Sequence, residues 1–238
     1  MTNTRDHSYD RDAGTHASML NKLRAAVLGA NDGIISTAGL VMGVAGATTN
    51  TAALATAGIA GLVAGALSMA VGEYVSVSAQ RDSERALLAK EQFELDTMPE
   101  EELDELAQLL EAKGLSERVA RDAAVELTAR DALAAHADIE LRLDPDDLTS
   151  PTQAAVSSLI AFAVGALVPL LAMVLSPAES RVLVTVVSVL AALLLTGFLS
   201  ARAGDAPVAR AIVRNVVGGV LAMGVTFGIG TLVGTQIG

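Results

Sequence analysis

The apolar positions of this chain gather into long unbroken runs. No Asp, Glu, Lys or Arg occurs in residues 33–72, 148–178, 182–201 or 215–238. A helix needs about 20 such residues to cross the hydrocarbon core of a bilayer, and continuous runs lack the two-residue alternation of a membrane barrel. The pattern predicts five membrane-spanning helices at residues 23–47, 52–75, 148–175, 182–201 and 212–237. Polar Thr48–Thr51 makes a tight turn between the first two, so these form a hairpin. Residues 1–20 are polar, mixed in charge and without a signal-peptide core, and are expected to be a disordered tail.

Between the second and third spans the pattern changes. Over residues 80–147 the apolar positions thin to helical spacing and most of the acidic excess collects. Residues 81–95 continue the second span as a helix. Thr97-Met98-Pro99-Glu100 reads as a cap with an early Pro, opening a second helix that runs to Lys113 and stops at Gly114. Ser116 caps a third, with Val119, Ala123, Leu127 and Leu133 on its apolar side, and Asp144-Pro145 ends it. The expected fold is an all-α membrane protein: a tail (1–20), two spans (21–79), a three-helix acidic domain (80–147) and three spans (148–238).

Orientation follows from Lys and Arg in the short flanks. Lys22, Arg24, Arg81, Arg85, Arg202, Arg210 and Arg214 lie on one side, and Arg181 alone on the other. The amino terminus and the acidic domain are therefore expected in the cytoplasm and the carboxyl terminus outside. The whole chain, 238 residues, is 52% apolar and 18% charged, with a formal net charge of -11 and no Cys. Absent Cys removes zinc ribbons, iron–sulfur clusters and thiolate catalysis, leaving oxygen, imidazole and thioether as metal ligands. The negative balance disfavours nucleic acid and suits cations. No Walker A motif or dinucleotide fingerprint is present, so neither a nucleotide partner nor an enzyme is expected.

Asp32 stands out as a carboxylate inside the first span, where insertion costs about 2.5–3.5 kcal/mol, so it marks an ion path or else sits at the interface and reaches water. Counted from the turn at about 1.5 Å per residue, Asp32 lies about 24 Å deep and Met69 about 27 Å. A carboxylate and a thioether at one depth on paired helices can share a soft-to-borderline cation. Glu73, one turn nearer the cytoplasm than Met69, is a candidate mouth of that path. Ser36, Thr37 and Asn215 read as helix-contact residues. In the acidic domain Glu91 and Glu94, Glu102 and Glu105, and His136 and Glu140 are pairs at helical spacing. Convergent, they would make an oxygen-rich site with one imidazole for iron(II) or manganese(II), with zinc(II) a further candidate; apart, they are a solvated acidic surface. No Glu-x-x-His pair occurs, which counts against a ferritin-like di-iron bundle.

Leu28-Gly-Ala-Asn-Asp-Gly33, Gly65-Ala-Leu-Ser-Met69, Gly72-Glu-Tyr-Val-Ser-Val-Ser-Ala-Gln-Arg-Asp82 and Gly165-Ala-Leu-Val-Pro169, with the acidic domain in its place, resemble the vacuolar iron transporter family over residues 20–235. The resemblance implies a homodimeric divalent-cation/proton antiporter that removes iron(II), and often manganese(II), from the cytosol. It implies that Asp32 and Met69 are path ligands and that Glu91, Glu94, Glu102, Glu105 and Glu140 are cytoplasmic metal ligands. There are departures. Gly61 stands where some eukaryotic members carry Glu, Glu73 stands where they carry Gly, and His136-Ala137 replaces a pair of Met. A compact chain of bacterial type points to a plasma (inner) membrane. A membrane-anchored metal sensor or buffer without transport is the alternative.

Overall fold

The computed structural model describes the backbone of residues 8–145 and 148–237 and the side chains of residues 26–145 and 148–236. The elements in order are α1 (Ser8–Ala47), α2 (Thr51–Thr97), α3 (Pro99–Ala112), α4 (Glu117–His136), a π-helical turn (Ala137–Leu141), α5 (Pro151–Leu175), α6 (Arg181–Ala203) and α7 (Val208–Ile237). Five helical segments are long and apolar enough to cross a membrane: Ala26–Ala47, Thr51–Thr97, Pro151–Leu175, Arg181–Ala203 and Val208–Gln236. The protein is an all-helical membrane protein over its described residues. At about 1.5 Å per residue α2 is about 70 Å long, roughly twice a hydrocarbon core. Its charged half, from Arg81 onward, therefore lies outside the bilayer.

α1 begins at Ser8, within the expected tail of residues 1–20; residues 1–7 of that tail lie outside the described residues. No Pro interrupts this stretch, and extending an existing helix costs far less than nucleating one. The chain divides into two compact units, Met1–Tyr74 with Thr152–Gly238, and Val75–Pro151. The second is wider than the expected 80–147, because charge marks where the bilayer ends whereas packing takes in flanking residues such as buried Val77.

In the first unit α1, α6 and α7 pack on one another. Buried positions on α6 recur every fourth residue, Arg181, Thr185, Val189, Leu193, Gly197 and Ala201. This stripe supplies Val189 and Leu193 to a core with Ile34, Ala38, Val41 and Met42 of α1, Leu54, Met173 and Met223. Backbones approach closely where side chains vanish: a Cβ on Gly33 would meet the Phe162 carbonyl oxygen, and one on Gly165 that of Ala30. The hairpin turn is capped by Asn50, whose Oδ1 accepts from the Ala53 amide at 3.1 Å. Buried Arg181 donates from Nη1 to the Thr49 carbonyl at 3.2 Å and from Nη2 to Thr51 Oγ1 at 3.1 Å. Arg181 thus ties the hairpin turn to α6.

In the second unit Leu106, Ala107 and Leu110 of α3 pack on Ala120, Ala124 and Ala135 of α4. The fully buried apolar residues of α4 are its alanines, which permit close approach; of the expected apolar side Ala123 and Leu127 pack against this core, while Val119 is 41% exposed. The α3 cap is Met98, not Thr97, because the Thr97 hydroxyl donates back to the Phe93 carbonyl at 2.7 Å and prolongs α2. Gly114, at φ 101, ends the helical pair's turn, and Arg121 pairs with Asp104 across it. α4 is interrupted at Asp131, with φ -164 and ψ 100, whose Oδ1 caps the Ala134 amide at 3.0 Å. The stretch beyond, which carries His136, is a separately capped piece that runs into the π turn.

Candidate metal sites

The first site is a cleft of about 290 Å³ in the helical unit of Asp32. One wall is α1, with Asp32 and Ser36 one turn apart, then Thr37 and Leu40. The other is α2, with Gly61, Gly65, Ser68 and Met69, and Phe162 of α5 closes one end. Gly61 and Gly65 provide the room, since a Cβ on Gly65 would run into the Phe162 ring and one on Gly61 into Leu40. Depth counting set Asp32 and Met69 at one level, and both line the cleft. Met69 also packs against the cluster of Ala66, Phe162 and Ala166. Glu73 is not part of the lining. Ser36 and Thr37, read as helix-contact residues, are. Ser36 Oγ donates to the Asp32 carbonyl at 2.6 Å, and Thr37 Oγ1 is buried without a hydrogen-bond partner. Beside Asp32, Asn31 Oδ1 accepts from Thr196 Oγ1 of α6 at 2.6 Å.

The second site lies in the Val75–Pro151 unit. Glu91 of α2, Glu102 of α3 and His136 of α4 are all buried, and each offers a ligand atom within 4.8 Å of the others. His136 Nδ1 is 2.8 Å from Glu91 Oε1, 3.7 Å from Glu102 Oε2 and 3.5 Å from Glu140 Oε2. Despite these separations Glu91 Oε1, Glu140 Oε2 and both ring nitrogens of His136 make no hydrogen bond. The groups are close but not aligned as donor and acceptor. Each orphaned buried polar atom costs about 1–3 kcal/mol, and Glu91 Oε1, Glu140 Oε2 and the His136 Nδ1 that lies within 3.5 Å of both fit lone pairs aimed at a common cation rather than at one another, with the imidazole proton on Nε2. Carboxylate oxygen with one imidazole suits a divalent ion of borderline hardness.

The electrostatics agree. Burial pushes the Glu91 carboxyl above the ordinary range, and the charge of Glu140 adds to the rise while His136 opposes it. For Glu102 burial again comes first, followed by the charge of Glu105. A dication offsets both causes. Not every expected ligand converges: Glu105 is exposed, and Glu94 accepts from Lys90 Nζ at 2.6 Å on its own helix. Spacing gives the pairs; packing decides which member of the Glu91/Glu94 and Glu102/Glu105 pairs turns inward, and it brings both His136 and Glu140 to the cluster.

A family profile described as the VIT family matches residues 23–231. "Vacuolar iron transporter homolog 2" of Arabidopsis thaliana is 38% identical over 213 residues, covering 89% of this chain and 84% of that protein. "Vacuolar iron transporter" of Acanthamoeba castellanii is 39% identical over 225 residues, covering 93% and 83%, and "Vacuolar iron transporter homolog 5" of Oryza sativa subsp. japonica is 40% identical over 214 residues, covering 90% and 81%. With the profile matching residues 23–231 and these relatives 38–40% identical along about nine-tenths of the chain, the protein belongs to the VIT family.

Proposed function

We propose that this protein moves divalent metal ions, iron(II) and manganese(II), out of the cytosol in exchange for protons. It works as a homodimer in the plasma (inner) membrane, with the amino terminus and the Val75–Pro151 unit in the cytoplasm and the carboxyl terminus outside. The observation that carries the reading is the cleft in which the Asp32 segment of one membrane helix faces Met69 of another. A membrane carboxylate can hold either a proton or part of a metal's charge, and alternation between the two couples the flows. Met69 adds a thioether, which favours iron(II), while Ser36, Thr37 and Ser68 offer oxygen. Glu91, Glu102, His136 and Glu140 collect the ion beforehand. The relatives' names, vacuolar iron transporters, support metal as the cargo.

The test is flux of iron(II) or manganese(II) in proteoliposomes of the full chain under an imposed proton gradient. Saturable, gradient-driven uptake that disappears in Asp32→Asn, with the variant folded and present at normal amount, is the expected result. Metal binding without flux in the wild type would instead make the protein a membrane-anchored buffer. Normal flux in Asp32→Asn would remove Asp32 from the path.

A further inference from the structure

Resting on the transport reading, we propose that Thr196 of α6 is a positioning residue for Asp32, holding α1 through Asn31 in the rotation that aims the carboxylate into the cleft. α1 is gripped from two sides at this level. On one side α5 lies against Gly29 and Gly33 so closely that a Cβ on Gly33 would meet the Phe162 carbonyl oxygen, and Gly165 of α5 lies reciprocally on the Ala30 carbonyl. On the other side the hydroxyl of Thr196 donates to Asn31 Oδ1 at 2.6 Å. At about 100° per residue, Asn31 projects about 180° from the Gly29–Gly33 face, and Asp32 projects about 80–100° from each. The two grips oppose one another and the carboxylate leaves between them, toward the cleft that it lines together with Met69.

The glycine contact alone does not fix that direction. On the α1 side it offers no side chain to key it, and α5 meets it with the Ala161 methyl and the Phe162 backbone. Thr196 supplies a directional contact on the far side. A rotation of about 20° at a side-chain radius of about 5 Å displaces the carboxylate by about 2 Å, against the ~0.2 Å within which metal–ligand distances must fall. Arg181 ties α6 to the turn that follows α1 and to Thr51 at the start of α2, fifteen residues and about 22 Å along α6. Translation of the hairpin is thus restrained at its end, and rotation at the level of Asp32.

The test compares Thr196→Val, which keeps the shape and removes the donor, with Thr196→Ser, which restores it, in proteoliposomes of the full chain carrying manganese(II). Thr196→Val is expected to raise KM about tenfold, the low end of the 10–100-fold seen when a ligand's supporting partner is lost. Its maximal rate should stay within about twofold and its melting temperature near the wild type's, and Thr196→Ser should bring KM back to within about twofold. A purely structural role would lower the folded amount and the rate together and leave KM alone; that outcome overturns the proposal, as does an unchanged KM. If Thr196→Val does not fold, Asn31→Ala removes the same bond from the other partner and carries the same expectation and the same refutation. A wild type with no saturable flux removes the transport reading and this inference together; wild-type flux with an indifferent Thr196→Val removes this inference alone.

Discussion

Replacing Glu102 by Gln should make the protein more stable without metal and less stable with it. The side chain keeps its size and loses its charge. In the folded protein the ligand oxygens of Glu91 and Glu102 lie no more than 4.8 Å apart. At an effective dielectric of about 20, two full charges at that separation repel by about 3 kcal/mol, an upper figure because a proton can take up part of the strain. The neutral amide removes the repulsion and the cost of burying the charge. The metal-free variant should therefore unfold several degrees higher at pH 8, since 1 kcal/mol moves the melting temperature by about 4–8 °C for a domain of 60–100 residues. With metal the order reverses. Ligand at about 100 times its Kd stabilises the wild type by about 2.7 kcal/mol, and loss of one of so few ligands should cost at least the 10–100-fold in affinity that loss of a supporting partner costs. Thermal unfolding of the detergent-solubilised full chain, with chelator and then with manganese(II), gives curves that cross between the two proteins. A variant that is destabilised without metal, or that gains as much from manganese(II) as the wild type, would show that these carboxylates are not a shared site.

Both raised carboxyls also set a pH dependence. A carboxyl whose folded pKa lies above its unfolded value contributes stability that is complete below the unfolded pKa and is lost as pH rises through the folded one. Since Glu91 and Glu102 are raised above 4.5, the metal-free protein should melt higher at pH 5 than at pH 8, and saturating manganese(II) should flatten the difference; a metal-free protein that melts higher at pH 8 counts against the burial argument. Met69→Leu should reduce iron(II) transport more than manganese(II) transport, because the thioether favours the softer ion; equal losses in a flux assay would leave Met69 with packing alone. Gly33→Ala pushes a methyl into the Phe162 carbonyl and should cost about 1–3 kcal/mol or the folded state itself, whereas Gly72→Ala, inside α2 with nothing within 4 Å, should raise stability by about 0.5–1 kcal/mol in thermal unfolding.

Much of this architecture was legible in sequence, because a bilayer imposes one strong rule: charge-free runs of sufficient length become spans. The same rule set Asp32 beside Met69, since rise per residue converts position into depth. What it could not convey was rotation. Glu91 turns inward while Glu94 is taken by Lys90, and Glu102 is buried while Glu105 is exposed, although each pair has the same spacing. Residues three apart share a helix face only within about 60°, so packing decides between them. The absence of bulk was equally hard to weigh. Gly61 and Gly65 shape the cleft by what they lack, and Asp131 opens a new helical piece with its own side chain as N-cap.

The π turn after His136 has a consequence for how many ligands the buried cluster can present. Its backbone advances with bonds to the fifth residue instead of the fourth, so it holds one residue more than an α-helical turn. Because the turn already absorbs that extra residue, deleting one residue between His136 and Glu140 and restoring ordinary helical bonding would put the two at i,i+3, about 60° apart and still on one side of the helix. Glu140 Oε2, now 3.5 Å from Nδ1 of His136, would keep its place beside the imidazole. The turn is slack in the chain: a change of length by one residue here leaves the cluster its number of groups, whereas the same change in a regular α-helical turn would carry the carboxylate about 100° away.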